Sequence, residues 1–300
     1  MDLTGYSQGN IEKIRRLSDI LQKIGQIQFL RSRLSLYGGT ALNLLRLPAT
    51  YRLSIDVDFN YRESSKRDWG KERDIIDFHL KNILIELGYT KDAIKIQPSY
   101  PLNRFDIHYP LTRETQSSVK IEIGYLRRIP ILRNDELCTY KHPITEYKTT
   151  ILTPQTEELY ANKFCTMLSR SKITNNARDF FDVWVISKQD FDKELFIDII
   201  FIESILMKLD FKNIQKFAPK KVEYEHLRSL IRPDIKLTTV FDEAREYFSS
   251  ILQEALKNNW EMFMYRFNQE KLIPLDILNK SNEINPAINS HPTLKRILQK

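Results

Sequence analysis

The segment Ser54–Asn60 reads SIDVDFN, and its polar and apolar residues alternate without a break. Successive side chains of a strand point to opposite faces, so Ser54, Asp56, Asp58 and Asn60 share one face and Ile55, Val57 and Phe59 the other. A chain carrying this pattern must build a sheet with one buried face and one acidic face. Positions two apart on a strand lie roughly 6–7 Å apart, so both carboxylates can converge on one divalent ion, or on a pair about 3.5–4 Å apart. The acidic face therefore meets either plain water or a metal ion.

What precedes the strand bears on that choice. Residues 10 to 33 carry Ile11, Ile14, Leu17, Leu21, Ile24 and Ile27 at helical spacing, which predicts a helix. Leu34 to Tyr37 reads as a short strand that stops at Gly38-Gly39, and Thr40 to Leu47 as a helix ended by Pro48. Glycine before a helix lets a phosphate chain approach the backbone, and the helix N-terminus offers free N–H groups and a favourable dipole. Alone, a Gly-Gly pair is a turn and an Asp-x-Asp a solvated face. Together in this order they fit phosphoryl or nucleotidyl transfer, because Mg²⁺ is held by one or two carboxylates plus substrate phosphates.

Downstream, Asp74 to Leu87 predicts a helix closed by Gly88, a good residue just past a helix end. Three extended segments follow, Ala93 to Gln97, Arg104 to Tyr109 and Val119 to Leu126, the last two separated by the polar turn TRETQSS. In VKIEIGYL, Val119, Ile121 and Ile123 share one face while Lys120 and Glu122 share the other, giving a third carboxylate. Asp106, in RFDIHYP, competes for that role. From about residue 154 the periodicity turns helical, with Pro154 and Thr156 as start signals. The expected fold is α+β: a mixed sheet flanked by helices over residues 1–150, then a mostly helical half over 151–300.

Composition narrows the class. Hydrophobic residues make up 42% of the 300, enough for a proper core, and 28% are charged with both signs plentiful. The net charge of +7 is compatible with a polyanionic partner, and runs such as Arg127–Arg133 and Ala218–Arg228 would suit an RNA backbone or a solvated face equally. Cys138 and Cys165, the two cysteines, make neither a zinc spacing nor a disulfide framework. The polar start lacks a signal-peptide core, and the most apolar run, Phe196–Met207, is interrupted by Asp198 and Glu203. A cytoplasmic protein with no membrane partner is expected.

GGTALNLL followed by YRLSIDVDF resembles the first motif of the AbiEii/AbiGii-type toxins, the MenT-like nucleotidyltransferases of bacterial toxin–antitoxin systems within the DNA polymerase β-like superfamily. Arg52, Ser54, Asp56 and Asp58 meet the pattern Arg-x-Ser-x-Asp-x-Asp. VKIEIGYLRR resembles the next motif, and LYANKFCTMLSR…NNARDFFDVWVI the third, with Lys163 on one helix and Arg178, Asp179 and Asp182 on the next. The resemblance covers about residues 35 to 190. Gly-Gly with a long spacer stands where the wider superfamily has Gly-Ser and a shorter one, and Glu122 where an aspartate is common.

The resemblance implies a Mg²⁺- or Mn²⁺-dependent toxin that transfers a nucleotide from a nucleoside triphosphate to RNA, chiefly the tRNA 3′ end, opposed by a cognate antitoxin. Gly38, Gly39 and Thr40 would cradle the triphosphate. Asp56 and Asp58 would hold the metal, with Ser54 contacting phosphate or shaping the metal shell. Glu122 would complete that shell or orient the attacking hydroxyl. Lys163 would neutralise charge on the triphosphate, and Asp179 would act as a base or position Arg178. Rival expectations are transfer to a small molecule or a protein, and a nucleotide-binding module without transfer.

Overall fold

The alternating segment becomes a strand in the computed structural model, which describes residues 3–47, 49, 51–62, 68–112, 115–170, 177–209, 227–257 and 259–299. Strand β1 (Leu34–Tyr37) lies antiparallel to β2 (Asp56–Tyr61). Strand β2 buries Val57, Phe59 and Tyr61 and leaves Asp56, Asp58 and Asn60 half-covered. It starts two residues later than the alternation predicts. The remaining strands are β3 (Ile94–Pro98), β4 (Leu102–Pro110), β5 (Gln116–Gly124), β6 (Glu136–Lys141) and β7 (Lys148–Thr153). They form one mixed seven-stranded sheet in the order β3-β4-β5-β2-β1-β7-β6. The β2–β5 and β1–β7 pairs are parallel and the others antiparallel.

Leu36, Val57, Phe59, Phe105, Ile107, Val119, Ile121 and Ile123 are buried along one sheet face. Helix α1 (Gln8–Gln26) packs there against β5, β7 and α4 (Trp69–Glu86). Ser7 caps α1 by accepting from the Asn10 N–H, and Ile14, Leu17, Leu21 and Ile24 form its buried stripe. Each such side chain contributes about 1.5–3 kcal/mol when fully buried. Asp68 caps α4 through the Gly70 N–H at 3.0 Å, five residues before the start that the sequence predicts. Glu72 ties α4 to the sheet, accepting from the Tyr61 hydroxyl at 2.6 Å and from Arg33 at 3.0 Å.

Three other sequence expectations are corrected. The helix over 10–33 is two helices, because Ile27 is extended between α1 and the short α2 (Gln28–Arg31). The helix over 40–47 begins at Gly38: α3 (Gly38–Ala41) opens into a wider π-turn over Leu42–Arg46. The hairpin β6–β7 was not expected at all. Among the residues of β6, an edge strand, Tyr140 alone is fully buried, so its alternation is faint.

The chain divides into two compact units, Met1–Arg128 with Asp135–Pro154, and Ile129–Asn134 with Gln155–Lys300. The second unit holds α5 (Thr156–Ser169), α6 (Ala177–Ile186), α7 (Lys193–Met207), α8 (Val240–Lys257), α9 (Trp260–Glu270) and α10 (Pro292–Leu298). Helix α7 is apolar on nearly every side and is its core, as a helix hydrophobic all round must be. Phe164 on α5 sits against Phe196 of α7 and stacks on Phe248 of α8, its ring centroid 4.8 Å from the latter. Ile129–Asn134 joins this unit because the Leu132 N–H donates to the buried Glu158 carboxylate at 2.9 Å and Leu132 bridges to Ile284. Among the described residues no helix is long and apolar enough to cross a membrane. Pro48, the middle of the TRETQSS turn, residues 171–176 and residues 218–226 of the second basic run lie outside the described residues.

Candidate active site

Gly38 and Gly39 end β1, and two physical demands explain them. Gly38 has φ +72°, the left-handed region that costs other residues about 1–2 kcal/mol. A β-carbon on Gly38 would also collide with the Asp58 carboxylate. One on Gly39 would sit 2.5 Å from Arg52 Nη2 and 2.9 Å from Ser54 Oγ. The glycine pair thus forms a wall with Asp58, Ser54 and Arg52 directly against it.

A buried hydrogen-bond lattice fixes that wall. Thr40 Oγ1 donates to the backbone carbonyl of Asp56 at 2.5 Å. Asn43 Nδ2 donates to the Gly39 carbonyl at 2.9 Å, and Asn43 Oδ1 accepts from the Arg52 N–H at 3.3 Å. Arg52 Nη1 donates to the Leu53 carbonyl at 3.1 Å. Thr40, Asn43 and Arg52 are all buried. The Thr40 hydroxyl, expected to face a nucleotide, is instead engaged in positioning Asp56. Sequence reasoning missed the role of Asn43; the available signal was its place four residues after Gly39, one helical turn on.

The sheet register places the third carboxylate. Asp58 lies between Tyr37 on β1 and Glu122 on β5, and Asp56 stands beside Lys120. Glu122 in turn faces Arg104 on β4, and Lys120 faces Asp106. Lys120 Nζ is 3.3 Å from Glu122 Oε1. Asp106 is one strand further from Asp58, accepting from Arg104 Nη2 at 2.7 Å and from Gln97 at 3.2 Å. That hydrogen bond holds the Arg104 guanidinium above its usual pKa. Of the two candidates, Glu122 neighbours Asp58, and Asp106 belongs to a separate pairing with arginine.

Among the described residues no three His, Cys, Asp or Glu side chains are gathered as a metal cage. Asp56 and Asp58 still offer hard oxygen donors on one face beside a glycine wall, and this fits Mg²⁺, which takes one or two carboxylates and completes its shell with phosphate oxygens and water.

The helical candidates lie in the second unit. Lys163 on α5 is buried and its Nζ pairs with Asp182 on α6 at 2.9 Å. Asp179, also buried, accepts from Arg170 Nη1 at 3.4 Å. The lysine's partner is therefore Asp182, which the sequence placed in the motif without a role. Arg178 is half-buried beside them. The structure thus brings Gly38, Gly39, Thr40, Ser54, Asp56, Asp58 and Glu122 together in the first unit, and Lys163 with Asp179 in the second.

A strand, a glycine pair and a helix followed by an acidic strand in a mixed sheet define a nucleotidyltransferase. The chain belongs to the AbiEii nucleotidyl transferase toxin family of type IV toxin–antitoxin systems, which it matches over residues 19–273. Among solved structures it is similar to MenT4, a nucleotidyltransferase toxin from Mycobacterium tuberculosis H37Rv. The two are 18% identical, with a TM-score of 0.55 over 87% of this chain and 90% of that one. This likeness supports the fold. The Cid1 poly(U) polymerase with MgGTP bound aligns over 81% of this chain and 68% of its own at 12% identity, but its TM-score of 0.28 carries no argument. No protein of curated function matches the chain.

Proposed function

We propose that this nucleotidyltransferase uses Mg²⁺ or Mn²⁺ to transfer a nucleoside monophosphate from a triphosphate to the 3′ hydroxyl of tRNA, arresting growth in the cytoplasm until a cognate antitoxin counters it. The observation that carries the reading is the row formed by Asp58 and Glu122 beside Asp56, with the glycine wall packed against the Asp58 carboxylate. In the proposed reaction the hydroxyl oxygen attacks the α-phosphorus in line. The bond from that phosphorus to the bridging oxygen breaks, and pyrophosphate leaves. Glu122 takes the hydroxyl proton and aims its oxygen. The backbone of Gly38 and Gly39, at the start of α3, receives the triphosphate, because unpaired helix N–H groups favour anions. Ser54 Oγ donates to a phosphate oxygen. A metal held by Asp56 and Asp58 would stabilise negative charge on the attacking and leaving oxygens. Lys163 supplies counter-charge to the triphosphate, and Asp179 positions Arg178 or serves as a further base. The protein's share is positioning and charge complementarity.

Purified protein incubated with each α-labelled triphosphate, Mg²⁺ and total RNA tests this. Label is expected in the tRNA band with one preferred nucleotide, and chelation by EDTA should abolish it. Label in a protein or a small molecule, with none in RNA, would contradict the acceptor.

A further inference from the structure

At the far end of β2 and β5 the chain assembles aromatic rings and guanidinium groups that the reaction above does not use. Trp69 opens α4, and its ring lies 5.5 Å from Tyr100 and 6.1 Å from Tyr125. Tyr125, fully buried and 5.5 Å from Tyr61, anchors the group to the sheet. The Tyr125 N–H donates to the Pro101 carbonyl at 2.8 Å, which holds the Tyr100 corner in place. Arg128 caps the Trp69 ring at 4.8 Å, and Arg73 lies 5.5 Å from the Tyr125 ring. Trp69 is half-buried, whereas Tyr100 is 51% exposed.

A core explains Tyr125 and not Tyr100. Half of a tyrosine ring left in water, backed by a tryptophan and edged by two arginines, has the chemistry of a stacking platform. Aromatic faces stack any base, and guanidinium groups meet the adjoining phosphates. Its place in the fold selects between bases. Tyr37 pairs with Asp58, so the glycine wall flanks the first half of β2, while Tyr61 and Tyr125 close its other end. Three strand residues separate Glu122 from Tyr125, about 10 Å. The platform thus lies beyond Glu122 on the side away from the triphosphate site, where an acceptor strand would continue.

We propose that Trp69 and Tyr100, with Arg128, stack an unpaired nucleobase of the RNA acceptor next to its reacting 3′ end. This rests on the RNA-acceptor reading above. A single-stranded RNA oligonucleotide ending in CCA serves as the probe, and Trp69 fluorescence as one readout. Stacking should quench wild-type emission, and the quench should vanish in Trp69→Phe. Tyr100→Ala removes an exposed ring, so the protein stays folded. Its affinity for the oligonucleotide should fall roughly tenfold, the scale for losing one stacked base, with triphosphate affinity unchanged. Fully paired blunt-ended RNA should produce no Trp69-dependent quench. If Tyr100→Ala binds the oligonucleotide as tightly as wild type, the platform is overturned while the acceptor reading stands. If it weakens the triphosphate instead, the platform serves the donor and the proposal fails. If wild-type protein binds no RNA, both readings fall together.

Discussion

Gly38 carries two constraints at once, a positive φ and a carboxylate where a side chain would begin. Gly38→Ala should therefore cost about 1–2 kcal/mol of stability from backbone strain and, by pushing Asp58 aside, lower transfer far more than thermal stability falls. Thermal unfolding and transfer rate, measured on the same preparation, check this; a variant with wild-type rate would show that the close approach is incidental. Thr40 belongs beside it. Thr40→Val removes the donor to the Asp56 carbonyl, and Thr40→Ser should restore transfer because the hydroxyl, not the methyl, holds Asp56. The importance of the glycines was legible in the sequence. Their reason was not, since no local pattern says that Asp58, twenty residues on, lies against Gly38.

At the scale of elements, legibility followed burial. Strands β2 and β5 announce themselves because one face of each is buried and the other polar. Helix α5 and its successor α6 were also legible, whereas β6 was silent as an edge strand with one fully buried side chain. The break at Ile27 was hidden because the apolar spacing runs on through it. Helix α7 shows a cost that only packing exposes. Its Asp198 is buried, accepts from the Lys280 N–H at 2.7 Å, and has its pKa pushed up to about 6, chiefly by burial. Because folding raises this pKa, the acid's contribution to stability is fullest near pH 4 and below, and is lost as the pH rises through about 6. Asp198→Asn should accordingly gain stability relative to wild type as the pH moves from 4 to 7. Thermal melts across that range read it, and a difference independent of pH would contradict the assignment.

For the whole molecule, the order of motifs was enough to indicate the family and the α+β architecture, because a strand, a glycine pair and an acidic strand must follow one another to build one site. The division of the chain was harder to read. A short segment, Ile129–Asn134, belongs with the helices although both its neighbours in sequence belong with the sheet. The reason lies in long-range partners such as Glu158 and Ile284, which no window along the sequence contains. The net charge of +7 is shared by the entire chain and favours a polyanion without choosing one.

The central claim is that Asp56 and Asp58 act together on a metal-bound triphosphate. It is tested most directly by measuring nucleotide transfer, at fixed Mg²⁺, in Asp56→Asn and Asp58→Asn, which keep shape and remove charge. Each variant should melt like wild type and lose roughly a hundredfold or more in rate, the scale of removing one electrostatic stabiliser of a transition state. A folded variant of either kind transferring nucleotide at the wild-type rate would contradict the account.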